Sequence, residues 1–231
     1  MSESPNTGTS TRRSISGIVG VVANAQTYRN LLYLLLAFPL GIAYYVLLML
    51  GFTLGLVLSV LVVGLGVLIG TVIGLRFIES FERRLANTLL GTAIPAPDDV
   101  EKDDEGIVGT VKAYLQAPST WRGLGFVILK FWIGVLSFVL LVTFLGTAIE
   151  LLMLPLFPEG VLQVQVNEWE VAQSFETTTQ RAVAVPIGAA LGIVALHILN
   201  AFAGANASIA SSLLGPGDSD SEEGTTAETA T

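Results

Sequence analysis

Apolar positions fill this chain in long blocks, and polar positions are confined to the ends and to the segments between blocks. Asn30 to Leu75 is a run of 46 residues without a charged side chain, Phe131 to Ile149 a run of 19, and Ala182 to Gly217 a run of 36. A helix needs about 20 apolar residues to span the hydrocarbon of a bilayer. The first run is too long for one crossing and fits two. It predicts helices at 31–50 and 54–75, with Gly51-Phe52-Thr53 as the turn. The second run extends backwards past Lys130 and predicts a helix at 124–146; the third predicts one at 184–203. Lys130 is expected one to two turns inside its helix, its ammonium snorkelling to the headgroups.

Beyond the second block the pattern changes from continuous to periodic. Phe77, Phe81, Leu85 and Leu89 recur every four residues, with Glu79, Glu82, Arg83 and Asn87 on the other face. This predicts an amphipathic helix that continues from the second crossing and lies along the cytoplasmic surface, ended by Gly91. Ile107, Val108, Val111 and Leu115 predict a second, shorter one, and Pro118-Ser119-Thr120 breaks it and caps the third crossing. Between the last two crossings, Leu162, Val164 and Val166 alternate with polar residues, a weak strand signal. Trp169, flanked by Glu168 and Glu170, reads either as a ligand-sensing element or as an interfacial anchor on a connector.

Composition makes the membrane reading compulsory. Hydrophobic residues are 52% of the chain and charged residues 13%, about half the charged share of a soluble domain. A soluble enzyme, a nucleic-acid-binding module and, with no cysteine, a disulfide scaffold are excluded. The expected fold is all-α and polytopic, with four transmembrane helices and cytoplasmic amphipathic helices. Residues 1–27 form an N-terminal segment, 28–215 the membrane domain and 216–231 an acidic disordered tail.

Charge then sets the expected orientation. Arg12, Arg13, Arg29, Arg76, Arg83, Arg84, Lys102, Lys112, Arg122 and Lys130 fall on one side of four crossings, and Arg181 alone on the other. By the positive-inside rule both termini face the cytoplasm of a plasma membrane. Arg12-Arg13 and the stretch to Ala25 loosely suggest a signal peptide, but Ser16, Gly17 and Gly20 interrupt its apolar part. The net charge of −8 is local: residues 98–105 and the last 14 residues each hold a net −5. Acid-rich, lysine-poor soluble segments fit a salt-in halophile, and a generic acidic tail fits them too.

The chain also resembles itself. At an offset of 93, Arg29, Leu31, Leu36, Phe38, Gly41 and Val46 meet Arg122, Leu124, Leu129, Phe131, Gly134 and Val139. At an offset of 124, Leu89-Leu90-Gly91 meets Leu213-Leu214-Gly215. Two parallel two-helix repeats are expected. Small residues every four positions, Gly66, Gly70 and Gly74 on the second helix and Ala184, Gly188 and Gly192 on the fourth, predict close helix packing within the chain or at a homodimer seam.

Chemistry is sparse. No phosphate-binding loop, nucleophile elbow or zinc-protease motif occurs, and a single histidine excludes a multi-histidine metal site. No catalytic residue, metal or cofactor is expected. His197, inside the fourth helix, is a possible switch that can bond a neighbouring helix. Glu150, at the outer end of the third, is expected to be solvated.

Four blocks carry a family resemblance: YRNLLYLLLAFPLG with YYVLLMLGFTLGLVL, RFIESFERRLANTLLG, TWRGLGFVILKFWIGVLSFVLLVTFLG, and ALHILNAFAGANASIASSLLG. Together they resemble the Putative sensor domain family over about residues 28–215. That resemblance implies a four-helix membrane sensor of the kind that precedes histidine kinases in two-component systems. Two departures stand out: Ala117 before Pro118 in place of an acid, and no basic residues from Phe202 to Ile209 to match Arg83 and Arg84. The expectation is a stand-alone, non-catalytic sensor relaying a membrane or extracytoplasmic signal to a separate protein. A transport or lipid-handling protein and a structural membrane subunit are the alternatives. The bilayer and a signalling protein or second copy are the expected partners, and nucleic acid is not.

Overall fold

The computed structural model describes residues 20–61, 63–97, 113–162, 165–166, 169–170, 175 and 177–216. The acidic stretch 98–105 and the C-terminal tail lie outside them. Five α-helices carry the described chain: α1 (Ala25–Leu58), α2 (Val63–Leu89), α3 (Pro118–Leu140), α4 (Thr147–Met153) and α5 (Thr178–Leu214). Short strands β1 (Gln165–Val166), within the alternating stretch, and β2 (Trp169–Glu170), beyond it, pair antiparallel. A six-residue π-helix, Leu141–Gly146, joins α3 to α4. Four continuous helical stretches, Ala25–Leu61, Val63–Leu89, Pro118–Met153 and Thr178–Leu214, are long and apolar enough to cross a membrane.

The helices overrun the predicted boundaries, because hydropathy marks only their apolar parts. The first turn is not at Gly51-Phe52-Thr53, which lies inside α1, but at a 3₁₀ turn over Ser59–Leu61. Gly51 and Gly55 instead let α1 and α2 approach: a Cβ at Gly55 would stand 2.5 Å from Leu68, and one at Gly51 would collide with Thr71. Segment 76–89 continues the second crossing, as expected, since α2 runs through Arg76 without a break. Gly91, at φ 70°, follows its end and takes the left-handed conformation that glycine tolerates best. Pro118 opens α3 instead of preceding a cap, since a first-turn position needs no amide hydrogen. Of the second amphipathic stretch, 113–116 is helical and the rest lies outside the described residues.

The helices divide between two compact units. One takes the chain up to Leu31 together with Phe138–Phe202; the other takes Leu32–Ser137 and the chain from Ala203 onward. In the first, Leu151, Leu154 and Ala184 form a core with Phe175 and Leu191 against it. In the second, α1 and α3 cross with backbones touching. A Cβ at Gly41 would stand 2.8 Å from the Lys130 carbonyl oxygen and 3.0 Å from Phe131 Cα. A Cβ at Gly134 would collide with the Ala37 carbonyl oxygen and stand 3.0 Å from Phe38 Cα.

Buried positions recur at the offsets of the sequence repeat. Tyr33, Leu34, Ala37, Tyr44 and Leu48 are buried on α1, and 93 positions on so are Phe126, Val127, Lys130, Ser137 and Leu141. Val72, Leu75, Glu79, Glu82 and Ala86 are buried on α2, and 124 positions on so are Leu196, Leu199, Ala203, Asn206 and Ala210. Large apolar side chains such as Val60, Phe77, Trp121 and Trp132 are exposed, as expected of helices whose solvent is lipid.

Candidate functional site

Lys130 follows an apolar stretch of α3, and the crossing at Gly41 turns it inward. Its side chain is fully buried, as is that of Glu82 on α2. The ammonium Nζ donates to Glu82 Oε2 at 2.8 Å and to the Tyr33 hydroxyl on α1 at 2.8 Å. It also lies 4.0 Å from the Tyr33 ring centre and 5.9 Å from that of Phe126. Tyr44 is buried nearby with its hydroxyl beside Glu82. Neither that hydroxyl nor Glu82 Oε1 completes a hydrogen bond of good geometry. One cation, one carboxylate and two phenols therefore join α1, α2 and α3 away from solvent.

This corrects the expectation that Lys130 snorkels. Snorkelling suits a lysine facing lipid; here the glycine crossing points it at a carboxylate. It also changes the reading of the polar face of segment 76–91. Glu79 and Glu82, assigned to an outer polar face, are buried, whereas Phe77 and Phe81 are exposed and Leu85 and Leu89 are half-buried. Glu79 packs where α3 offers only Gly123 and pairs with Arg76 at 3.4 Å. The Arg76 guanidinium stands 5.2 Å from the Tyr114 ring centre.

The other anticipated residues fall elsewhere. Among the described residues, a Cβ at Gly66, Gly70 or Gly74 would meet nothing within 4 Å. Gly70 and Gly74 line an apolar groove of about 330 Å³ with Leu47, Leu48, Val67 and Thr71. On α5 the glycines do face a helix: a Cβ at Gly188 would stand 2.8 Å from Leu151 Cβ, and one at Gly192 would stand 3.6 Å from Ala148 Cβ. Trp169 and Glu170 form β2, and Glu168 lies outside the described residues. His197 is exposed and its Nδ1 bonds the Ile193 carbonyl of its own helix, not a neighbouring one. Glu150 is not solvated. It is fully buried on α4, where its Oε2 accepts the backbone N–H groups of Val161 at 3.2 Å and Leu162 at 2.7 Å. In the same unit, Asn200 on α5 donates to Thr27, and Asn30 donates to Asn200.

Sequence reasoning missed the Lys130–Glu82 pair because each partner, taken alone, sits near enough to an apolar run's end to face water. The available signal was Lys130 alone, which lies between Leu129 and Phe131 with no other charge within a turn of its own helix.

Helix lengths and apolar exteriors define a multi-pass α-helical membrane protein. The family model described as Putative sensor matches residues 33–214, and the chain belongs to that family. No curated protein matches it. No solved structure matches it either.

Proposed function

We propose that this protein is a membrane-embedded sensor that acts without catalysis and relays a change in helix packing to a separate protein. The observation that carries the reading is the buried Lys130–Glu82 pair with Tyr33. Charged groups within membrane helices are expensive and mark functional positions. A pair linking three helices is also suited to two-state behaviour: made, it fixes one packing; broken, it leaves two uncompensated charges that favour another. The chain holds two similar halves related by duplication; the reciprocal contact at Gly41 and Gly134 and the recurring burial support this.

Photo-crosslinking in native membranes tests the relay. A probe at exposed Phe77 or Phe81 should capture a defined protein in the wild type, and the yield should change when Lys130→Met and Glu82→Leu are combined. Identical capture by both proteins would refute a role for the pair in signalling. The ten-to-one basic asymmetry supports a plasma-membrane orientation with both termini in the cytoplasm. A cysteine at exposed Phe157 should then react with an impermeant thiol reagent in intact cells, and one at exposed Leu115 should not; the reverse would invert the topology. The apolar groove beside Gly70 favours a second reading, lipid handling, which lipid transfer between liposomes would reveal.

A further inference from the structure

Two arginines at one end of the α2–α3 contact carry buried donors that meet no acceptor among the described residues. Arg76 is the first charged residue after the apolar run Asn30–Leu75, and its side chain is 14% exposed. Its Nη1 donates to Glu79 Oε2 at 3.4 Å, while Nε and Nη2 are buried without a hydrogen bond. Those two nitrogens form one edge of the guanidinium, a fork that matches a pair of phosphate oxygens. Arg122, half-buried in the first turns of α3, also has its Nε buried and unbonded. Glu79 brings the two arginines to one place: it pairs with Arg76 and packs on Gly123, the residue after Arg122. The Arg76 guanidinium also stands 5.2 Å from the Tyr114 ring centre. The turn carrying that ring is held by Thr120 Oγ1, which donates to the Tyr114 carbonyl at 2.5 Å, and by Trp121 Nε1, which donates to the Leu115 carbonyl at 3.0 Å.

We infer that Arg76 and Arg122 form a receptor for the phosphate of an anionic phospholipid headgroup. A buried donor without an acceptor is costly, and more so when it is charged. Phosphate oxygens on the Arg76 fork would make charge-assisted, bidentate bonds, the strongest that a guanidinium offers. Depth favours a lipid as the source of that phosphate. Arg76 follows the apolar run of α2 and Arg122 precedes that of α3, so both lie where the hydrocarbon ends. Exposed Trp121 and Phe77 flank them, and aromatic side chains concentrate at headgroup level. Charge favours an anionic headgroup. Arg83 lies within electrostatic reach of Arg76, Arg84 and Glu79. Among the described residues, the ion pairs are Arg76–Glu79 and Lys130–Glu82, so Arg83, Arg84 and Arg122 have no carboxylate partner there. Basic pockets between membrane helices bind such headgroups. This inference rests on the arginine donors and not on the Lys130–Glu82 relay, so either can fail while the other stands.

Native mass spectrometry of the intact protein in neutral detergent tests it, with dioleoyl phosphatidylglycerol, dioleoyl phosphatidylcholine and inorganic phosphate as probes. Phosphatidylglycerol should bind at least about tenfold more tightly than phosphatidylcholine, and phosphate at the same concentration should not displace it. Arg76→Lys keeps a charge beside Glu79 but removes the fork, and should weaken phosphatidylglycerol binding about tenfold. Arg122→Gln should weaken it as well. Arg84→Gln removes a charge from an exposed side chain but none of the buried donors, and should weaken it less than either. Equal binding of the two lipids would overturn the proposal. So would a larger loss with Arg84→Gln than with Arg76→Lys, which marks diffuse charge attraction in place of a built site. Displacement by inorganic phosphate would overturn the assignment to lipid. If circular dichroism shows that Arg76→Lys does not fold, the comparison of Arg122→Gln with Arg84→Gln decides in its place.

Discussion

The crossing of α1 and α3 looks the same from either side until its charges are compared. Gly41 meets the backbone of Lys130 and Phe131, and Gly134 meets that of Ala37 and Phe38. Each pair of residues stands 93 positions apart, so the contact is reciprocal. On one side the position next to the crossing is Ala37; on the other it is Lys130. At the second offset, Glu82 corresponds to Asn206, which is also buried. Tyr33 corresponds to Phe126, and Tyr44 to Ser137. One set of positions thus carries a cation, a carboxylate and two phenols, and the set at the two offsets carries none of them. An alanine suffices for the crossing at position 37, so close packing by itself does not call for a lysine at position 130. If the two halves arose by the proposed duplication, the charge is an addition to the scaffold, and that is the physical reason for assigning it a function.

Breaking the charged side alone gives the largest effect. Lys130→Met leaves Glu82 as an uncompensated buried carboxylate, and Glu82→Leu leaves the ammonium unpaired. Each single change should destabilise the protein by about 3–5 kcal/mol, read as a large fall in thermal stability in detergent. A loss under about 1 kcal/mol would mean that water reaches the pair.

Striking both sides of the crossing comes next. Gly41→Ala and Gly134→Ala each push a methyl group into the opposite backbone, and overpacking typically costs about 1–3 kcal/mol. The two variants should lose similar stability, because their contacts are reciprocal. Gly70→Leu adds more volume at a position with nothing within 4 Å and should leave the stability of the isolated chain unchanged. Unequal losses at Gly41 and Gly134 would undo the comparison; a large loss at Gly70 would show that a partner occupies its groove.

The smallest expected effect sharpens the comparison without breaking it. Tyr33→Phe makes α1 match Phe126 on α3 and removes one hydrogen bond to a charged group, about 1.5–3 kcal/mol at most. The ring stays beside Nζ, so cation–π attraction remains and the measured loss should fall at the lower end of that range. A drop as large as that of Lys130→Met would place Tyr33 at the centre of the cluster.

The number of crossings was legible because hydrocarbon thickness converts directly into apolar run length. The family was legible from four blocks of sequence. The turn at Ser59–Leu61 was not, because Gly51 and Gly55 read equally well as a turn or as places where two helices touch. The burial of Glu79 and Glu82 was not legible for a related reason. Periodicity reports that Phe77 and Glu82 lie on opposite faces but not which one meets protein, and in lipid the apolar face can point outward. Glu150 was misread because its partners are backbone amides 11 and 12 residues away, which leave no mark in side-chain pattern. The glycines told only half their story: Gly188 lies against α4 and Gly70 does not, although their spacing is identical.

The central claim is that Lys130 and Glu82 were added to a scaffold that does not need them for stability. A double-mutant cycle on unfolding free energy tests this most directly, with Lys130→Met, Glu82→Leu and their combination measured in the same detergent. The account predicts that each single variant loses about 3–5 kcal/mol while the double variant, its charges replaced by apolar groups of similar volume, lies within about 1 kcal/mol of the wild type. A double variant as unstable as the single ones would show that the pair holds the fold together, and would contradict the claim.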